Sequence, residues 1–361
     1  MNLAVLLPNW VGDVVMTTPA LRALRKHYPE ARMIGVQRPY VAETLYGTNW
    51  LDELLLDTGK GWSRGVLPLA RQLREREIDL AVLMTNSFRT ALAASLGHCK
   101  RRIGYGRDGR SWLLTDAVEP IRGADGRFEP TPIIDAYNLL AVTAGTALPG
   151  YRMELATTPA DDAAADRVWQ VFDKSIHRPV VLLNPGAAFG AAKHWPLHHF
   201  TRLARMLVDN IDAQVLVLCG PKERDLAQLI VQQTDRSDVH SLADAPLSLG
   251  LTKACVKRAD LLVTTDSGPR HFAAAFGRPV VSLFGPTHIA WTDTHYTQEV
   301  HLQHRLPCGP CQQRVCPLKG PDHHRCMEEL QPEEVYRAAA RLLGGTLPLR
   351  MTPQQERRRA S

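Results

Sequence analysis

Leu3-Ala4-Val5-Leu6-Leu7 runs directly into Pro8-Asn9-Trp10-Val11-Gly12-Asp13, and a helical pattern follows through Met16, Pro19, Leu21 and Leu24. The apolar run reads as a first strand. Gly12 and Asp13 then fall at the carboxyl end of a strand and the start of a helix, where open parallel sheets place their ligands. Gly12 lets the backbone approach a ligand, while Asp13 serves either as a helix cap or as a catalytic base. One glycine replaces the three-glycine dinucleotide fingerprint, which argues against a nicotinamide cofactor.

Working outward, the same alternation of short apolar runs and amphipathic stretches recurs along the chain, as expected of a doubly wound α/β fold with parallel sheets. Strands are expected at Leu3 to Leu7, Met33 to Val36, Glu53 to Leu56 and Leu80 to Met84. A second series is expected at Val180 to Leu183, Val215 to Cys219, Leu261 to Thr264 and Val280 to Phe284. The 361 residues exceed what one core usually supports, so the chain reads as two Rossmann-like domains in series, 1–158 and 159–330. Gly145, Pro149, Gly150 and Pro159 mark the linker, and a helix is expected from Ala160 to Asp173. Pro332 to Leu343 reads as a closing helix within 331–345, with Glu333 and Glu334 in its first turn, and 346–361 as a disordered tail.

Two further segments follow strands. Asn184-Pro185-Gly186-Ala187-Ala188-Phe189-Gly190-Ala191-Ala192-Lys193-His194-Trp195-Pro196 joins small residues, whose main-chain N–H groups can crowd an anion, to a mobile positive charge on Lys193. Thr264-Thr265-Asp266-Ser267-Gly268-Pro269-Arg270-His271 predicts a helix capped by Ser267, with Pro269 in its first turn and Gly277 at its end. That helix start favours a phosphate, with Ser267 and His271 as added contacts. Anion sites in one domain and an acid in the other imply a ligand cleft between them, and fit nucleotide-sugar transfer.

Composition narrows the partners. Hydrophobic residues make up 45% and charged residues 22%, as in a globular protein. A net charge of +6 and a pI near 9.0 suggest an acidic partner: nucleic acid, a phosphorylated glycolipid or an anionic membrane surface. Basic residues are spread out, apart from Arg357, Arg358 and Arg359, so no nucleic-acid arm is visible. No apolar stretch approaches a membrane span, so contact with a membrane would be peripheral. The N-terminal run lacks a charged leader, and seven cysteines, an odd number in clustered spacing, favour reduced thiols; both place the chain in the cytoplasm. Cys308-x2-Cys311-x4-Cys316-x9-Cys326, with His323 and His324 between, has ligand types and spacing for a structural zinc, or holds four clustered free thiols. Cys99, Cys219 and Cys255 read as buried small hydrophobes.

Taken together, the 8–13 and 185–196 segments, Thr85-Asn86-Ser87-Phe88, and Asp266-Ser267-Gly268 with His271 resemble the lipopolysaccharide heptosyltransferase II family, glycosyltransferase family 9. The resemblance spans most of the chain. It implies a GT-B arrangement, with two Rossmann-like domains whose parallel sheets face a central cleft. It implies inverting transfer of heptose from ADP-L-glycero-D-manno-heptose to the first heptose of the Kdo-lipid A inner core. Asp13 would be the general base, and Lys193 would steady the donor phosphates. Gly186, Ala187, Ala188, Glu223, Asp266, Ser267, Gly268 and His271 would bind the donor, Glu223 at the adenosine ribose. Asn9, Trp10, Gly12, Asn86, Ser87, Arg89 and Arg102 are the expected acceptor contacts. The transfer step is expected to need no metal or cofactor, and no nucleic acid is expected as partner. A relative using another nucleotide sugar or acceptor, a noncatalytic nucleotide-sugar sensor, and a nucleic-acid-binding protein with a Cys-rich metal site are the competing readings.

Overall fold

The computed structural model describes residues 1–124, 126, 128–173 and 178–344, so the expected tail at 346–361 lies outside the described residues. The chain forms two compact units. Unit one comprises Met1–Asp162 with two excursions, Leu249–Ala254 and His288–Thr297; unit two takes the rest.

Unit one holds β1 (Asn2–Leu6), β2 (Arg32–Gln37), β3 (Glu53–Leu56), β4 (Leu80–Leu83), β5 (Arg101–Tyr105) and β6 (Asp116–Val118). Its helices are α1 (Val11–Met16), α2 (Thr18–His27), α3 (Leu67–Glu75), α4 (Phe88–Leu96) and α5 (Ile133–Thr143). α6 (Pro159–Val168) passes from unit one into unit two. Unit two holds β7 (Val180–Asn184), β8 (Gln214–Val217), β9 (Val239–Ser241), β10 (Leu261–Thr265), β11 (Val280–Phe284) and β12 (Glu299–Gln303). α7 (Leu197–Ile211), α8 (Arg224–Thr234), α9 (Leu249–Arg258), α10 (Gly268–Ala275), α11 (Arg325–Glu328) and α12 (Pro332–Leu342) complete the order, with α9 beginning in unit one. The helix expected over Ala160 to Asp173 is α6 followed by the separate 3-10 turn Trp169–Val171.

Both sheets are six-stranded and every pairing is parallel. The orders are β3-β2-β1-β4-β5-β6 and β12-β11-β10-β7-β8-β9, the same permutation used twice. In each sheet the order reverses at one point, between β1 and β4 and between β7 and β10, and loops leaving those carboxyl ends diverge to leave a crevice. Central strands are apolar throughout because helices cover both faces: Leu3 to Leu6, Leu80 to Leu83, Val181 to Leu183 and Leu261 to Val263 are at most 2% exposed. Among the described residues no helix is long and apolar enough to cross a membrane.

Candidate active site

The four segments singled out in the sequence leave the four strands that flank the two switch points: 8–13 after β1, 85–88 after β4, 185–193 after β7 and 266–271 after β10. In unit one, α1 is capped by the backbone of half-exposed Trp10, with no side-chain cap bond. Asp13 is therefore not the cap; it stands in the first helical turn, partly exposed, where the helix dipole favours its charge. Asn9 is exposed and Gly12 is buried within the turn. Burial first, then the charge of Asp13, then Tyr105, pushes the Tyr137 phenol well above its usual range, which places a neutral hydroxyl in the field of Asp13. Tyr137 also lines a pocket of about 170 Å³ with Asn86, Tyr105, Arg107, Glu119 and Asp135.

Arg110 organises the loop after β4, and no motif announced it. It is fully buried. Its Nη1 donates to the carbonyls of Thr85 (2.6 Å) and Ser87 (3.2 Å), its Nη2 to Asn86 Oδ1 (3.3 Å), and its Nε to the Tyr105 carbonyl (2.9 Å). Burial brings its pKa down to about 10, leaving a guanidinium that acts as a permanent internal template. Two acceptor candidates are placed differently from expectation. Arg102 is the second residue of β5, at the end opposite the crevice, and donates to the carbonyls of Leu113 (2.7 Å) and Cys99 (2.6 Å), as a structural staple would. Arg89 is ion-paired to Asp57, an 8% exposed carboxylate after β3 that Arg38 also approaches at 3.7 Å.

In unit two, Lys193 closes the 3-10 turn Ala191–Lys193 and is 8% exposed. Its Nζ donates to the Asp266 carboxylate (2.5 Å) and carbonyl (3.0 Å) and lies 4.8 Å from the Phe189 ring centre. The expected mobile charge is thus a fixed one, because a buried ammonium without a counter-ion would be too costly to desolvate. Burial would raise the Asp266 carboxyl, but Lys193 and Arg270 outweigh it, and the group is held below its ordinary value. Thr287 Oγ1 donates to the same carboxylate at 2.8 Å. Arg270, 1% exposed, lies 3.7 Å from Asp266, pairs with buried Glu299 and meets His301 Nε2 at 2.9 Å.

Ser267 stands at the N-cap position of α10 without a side-chain cap bond; its Oγ accepts from Asn184 Nδ2 at 2.8 Å, which ties the loop after β7 to the start of α10, and Gly268 opens the helix. Thr265 Oγ1 donates to the Gly186 carbonyl at 2.8 Å, a second tie. A Cβ on Gly186 would lie 2.4 Å from both Glu223 carboxylate oxygens, so any side chain there displaces that carboxylate. Glu223, N-cap residue of α8, accepts from the Gly220 N–H at 2.8 Å and rests against the loop after β7 at Gly186. Ala187 is buried and Ala188 exposed. His271 is the fourth residue of α10. It is 3% exposed, burial drops its pKa to about 3, and its Nδ1 has no partner, so it is a neutral core group beneath the helix start.

None of the four late cysteines is in a disulfide. Cys326 is pushed up to about 11, by burial first and then by the nearby thiols of Cys311, Cys308 and Cys316. Cys99 and Cys255 are buried small residues, as is Cys219.

Residues 66–321 match the model of glycosyltransferase family 9 (heptosyltransferase). The chain is 25% identical over 354 residues to lipooligosaccharide heptosyltransferase 2 of Campylobacter jejuni, covering 95% of this chain and 98% of that one. It is 27% identical over 374 residues to lipopolysaccharide heptosyltransferase 2 of Escherichia coli K12, covering 95% and 99%. The solved structure of the E. coli ADP-heptose lps heptosyltransferase II has the same fold, with a TM-score of 0.74 at 24% identity over 95% of this chain and 98% of that one.

Proposed function

The chain belongs to glycosyltransferase family 9, the heptosyltransferases, and on that premise we propose that it transfers heptose from ADP-L-glycero-D-manno-heptose to the first heptose of the Kdo-lipid A inner core. The observation that carries this reading is the placement of all four motif loops at the two switch points, with a carboxylate in unit one and an ordered cation in unit two.

In the proposed step Asp13 accepts the proton of the acceptor hydroxyl as that oxygen attacks the anomeric carbon of the heptose. The bond from that carbon to the β-phosphate oxygen breaks on the opposite face, and ADP departs with the electron pair, so the configuration inverts. Negative charge grows on the diphosphate, and Lys193 with the main chain at Ser267 and Gly268 is pre-arranged to receive it. Glu223 accepts from the ribose hydroxyls. Arg110 presents Asn86 and Ser87 to the acceptor. No metal or other cofactor takes part in this reading of transfer. Phe88 and Trp112, ring centres 6.3 Å apart, expose 40% and 72% of their surface on unit one, which suits an amphiphilic acceptor met at the cytoplasmic face of the inner membrane.

The test is transfer from ADP-heptose to a heptosylated acceptor by wild type, Asp13→Ala and Asp13→Asn. ADP affinity should hold within twofold while turnover falls by about 100-fold to 10,000-fold, the usual worth of a positioned base. Turnover kept within threefold in both variants removes Asp13 from the mechanism, and nucleotide release from UDP-sugars alone removes the donor.

A further inference from the structure

The segment 304–326 plays no part in the transfer scheme, yet it grips the donor loop. The Arg314 carbonyl accepts from the Ala192 N–H at 3.0 Å, and a Cβ on Gly190 would lie 2.4 Å from that carbonyl oxygen. The Arg314 guanidinium lies 5.4 Å from the centre of the Phe189 ring, which Lys193 also approaches. His324 Nε2 bonds the Ala192 carbonyl at 3.0 Å. Cysteines bracket both contacts: Cys311 and Cys316 flank Arg314, and Cys316 and Cys326 flank His324.

Three of the four cysteines are held in place by contacts of the folded chain. The Cys316 sulfur accepts from the His324 N–H at 3.3 Å, two residues from Cys326. Gln312, beside Cys311, donates its N–H to the Pro286 carbonyl at 2.8 Å, while the Cys326 sulfur lies 3.1 Å from where a Cβ on Gly285 would stand. The Cys311 and Cys326 regions therefore both meet the chain just after β11. Charge agrees: residues 304–326 carry Arg305, Arg314, Lys319 and Arg325 against Asp322 alone. A divalent ion with four thiolates has a net charge of −2, and this surround offsets it.

We propose that Cys308, Cys311, Cys316 and Cys326 form a four-thiolate site for one thiophilic cation, zinc or iron, and that the bound ion locks this segment as a brace on the Gly190–Lys193 turn. Four soft ligands select such ions over magnesium or calcium. Among the described residues only His198, His199 and Glu328 bring three potential ligand atoms within 4.8 Å of one another, so the four sulfurs stand apart in this structure and the proposal requires them to close on the ion. That contraction is how ion affinity is converted into order in the segment. The brace half rests on the donor-site reading above; the ion half does not.

The full chain, purified without chelator from zinc-supplemented and from iron-supplemented cells, should carry about one ion per chain, with elemental analysis distinguishing the two metals. Cys316→Ser and Cys326→Ser should each lose it, and cobalt replacement in the wild type should give a thiolate-to-metal absorption band. Less than a tenth of an ion in both preparations overturns the site, as does an ion retained by Cys326→Ser and lost by Glu328→Ala. For the brace, stripping the ion should weaken ADP binding about tenfold, within the usual range of coupling between sites, and zinc or iron should restore it. His324→Ala, which keeps all four thiols, should retain the ion and still weaken ADP. Unchanged ADP affinity in both the stripped protein and His324→Ala refutes the brace and leaves the ion count to judge the site.

Discussion

Replacing Lys193 with Met removes the ammonium from a carboxylate that has almost no access to water. The side chains of Lys193 and Asp266 are 10% and 6% exposed, so neither charge is well solvated without the other. Breaking a buried pair by deleting one partner typically costs about 3 to 5 kcal/mol, and Thr287 and the more distant Arg270 soften this toward the lower figure. The loss should appear as a lower urea midpoint with an unchanged slope. Lys193→Met with Asp266→Asn leaves no buried charge, and should recover roughly 2 kcal/mol of it in a double-mutant cycle.

The pH dependence follows from the same pair. In the wild type the folded Asp266 pKa is depressed, so its contribution is present above the ordinary value of 3.8 and is lost as pH falls through the folded value. In Lys193→Met burial gains weight and the folded pKa rises. The folded state then binds more protons than the unfolded state above pH 3.8, and the deficit grows as pH increases through that window. Urea titrations at several pH values between about 4 and 7 measure this directly. A deficit under about 1 kcal/mol, or one flat across that range, means that Lys193 does not neutralise Asp266 and the account of the donor loop is wrong.

Arg110→Met should strip the loop after β4 of its template, raising the acceptor KM more than it lowers ADP affinity, and costing about 2 to 4 kcal/mol because several carbonyls lose a charged donor; steady-state kinetics and urea unfolding check both. Gly186→Ala drives a methyl into the Glu223 carboxylate and should weaken ADP binding as much as Glu223→Ala does, which calorimetry can compare side by side. Arg102→Ala should leave transfer within about twofold of wild type and lower only stability, since its donors serve carbonyls at the far end of β5. Burial holds the folded His271 pKa well below the ordinary 6.5, so the unfolded chain binds the extra proton as pH falls below that value and stability declines with acidification; His271→Leu should flatten the acid limb of a thermal-melt series.

Which parts of this molecule are readable in one dimension depends on how each segment meets its environment. Strands β1, β4, β7, β10 and β11 are covered on both faces, so selection for burial writes unbroken apolar runs, and these stand out in the sequence. The outer strands carry no such signature. Asp116–Val118 has no buried residue, and Glu299–Gln303 is only partly buried along its length. Its Glu299 looks like a surface acid and is instead the counter-ion of Arg270, a partner 29 residues away. β5 hides in the same way, since Arg101 and Arg102 begin it with their heads turned to backbone carbonyls and a carboxylate.

The same logic divides the site. Where recognition uses main chain, the sequence must supply small residues, and Gly186 and Gly190 betray the loop because a side chain there would crowd Glu223 or Arg314. Where it uses long side chains folded back from elsewhere, nothing local marks them. Arg110 reaches Thr85 from 25 positions downstream, and Asp57 receives Arg89 from 32 positions away. The Cys308 to Cys326 cluster lies between these cases: its spacing is visible, but its grip on Ala192 rests on an arginine carbonyl and one histidine, groups no motif would select. A homologue that keeps the donor loop while losing all four cysteines must therefore hold its Gly190–Lys193 turn by other contacts, and grafting this segment's cysteines onto it without Arg314 and His324 would add an ion site but no brace.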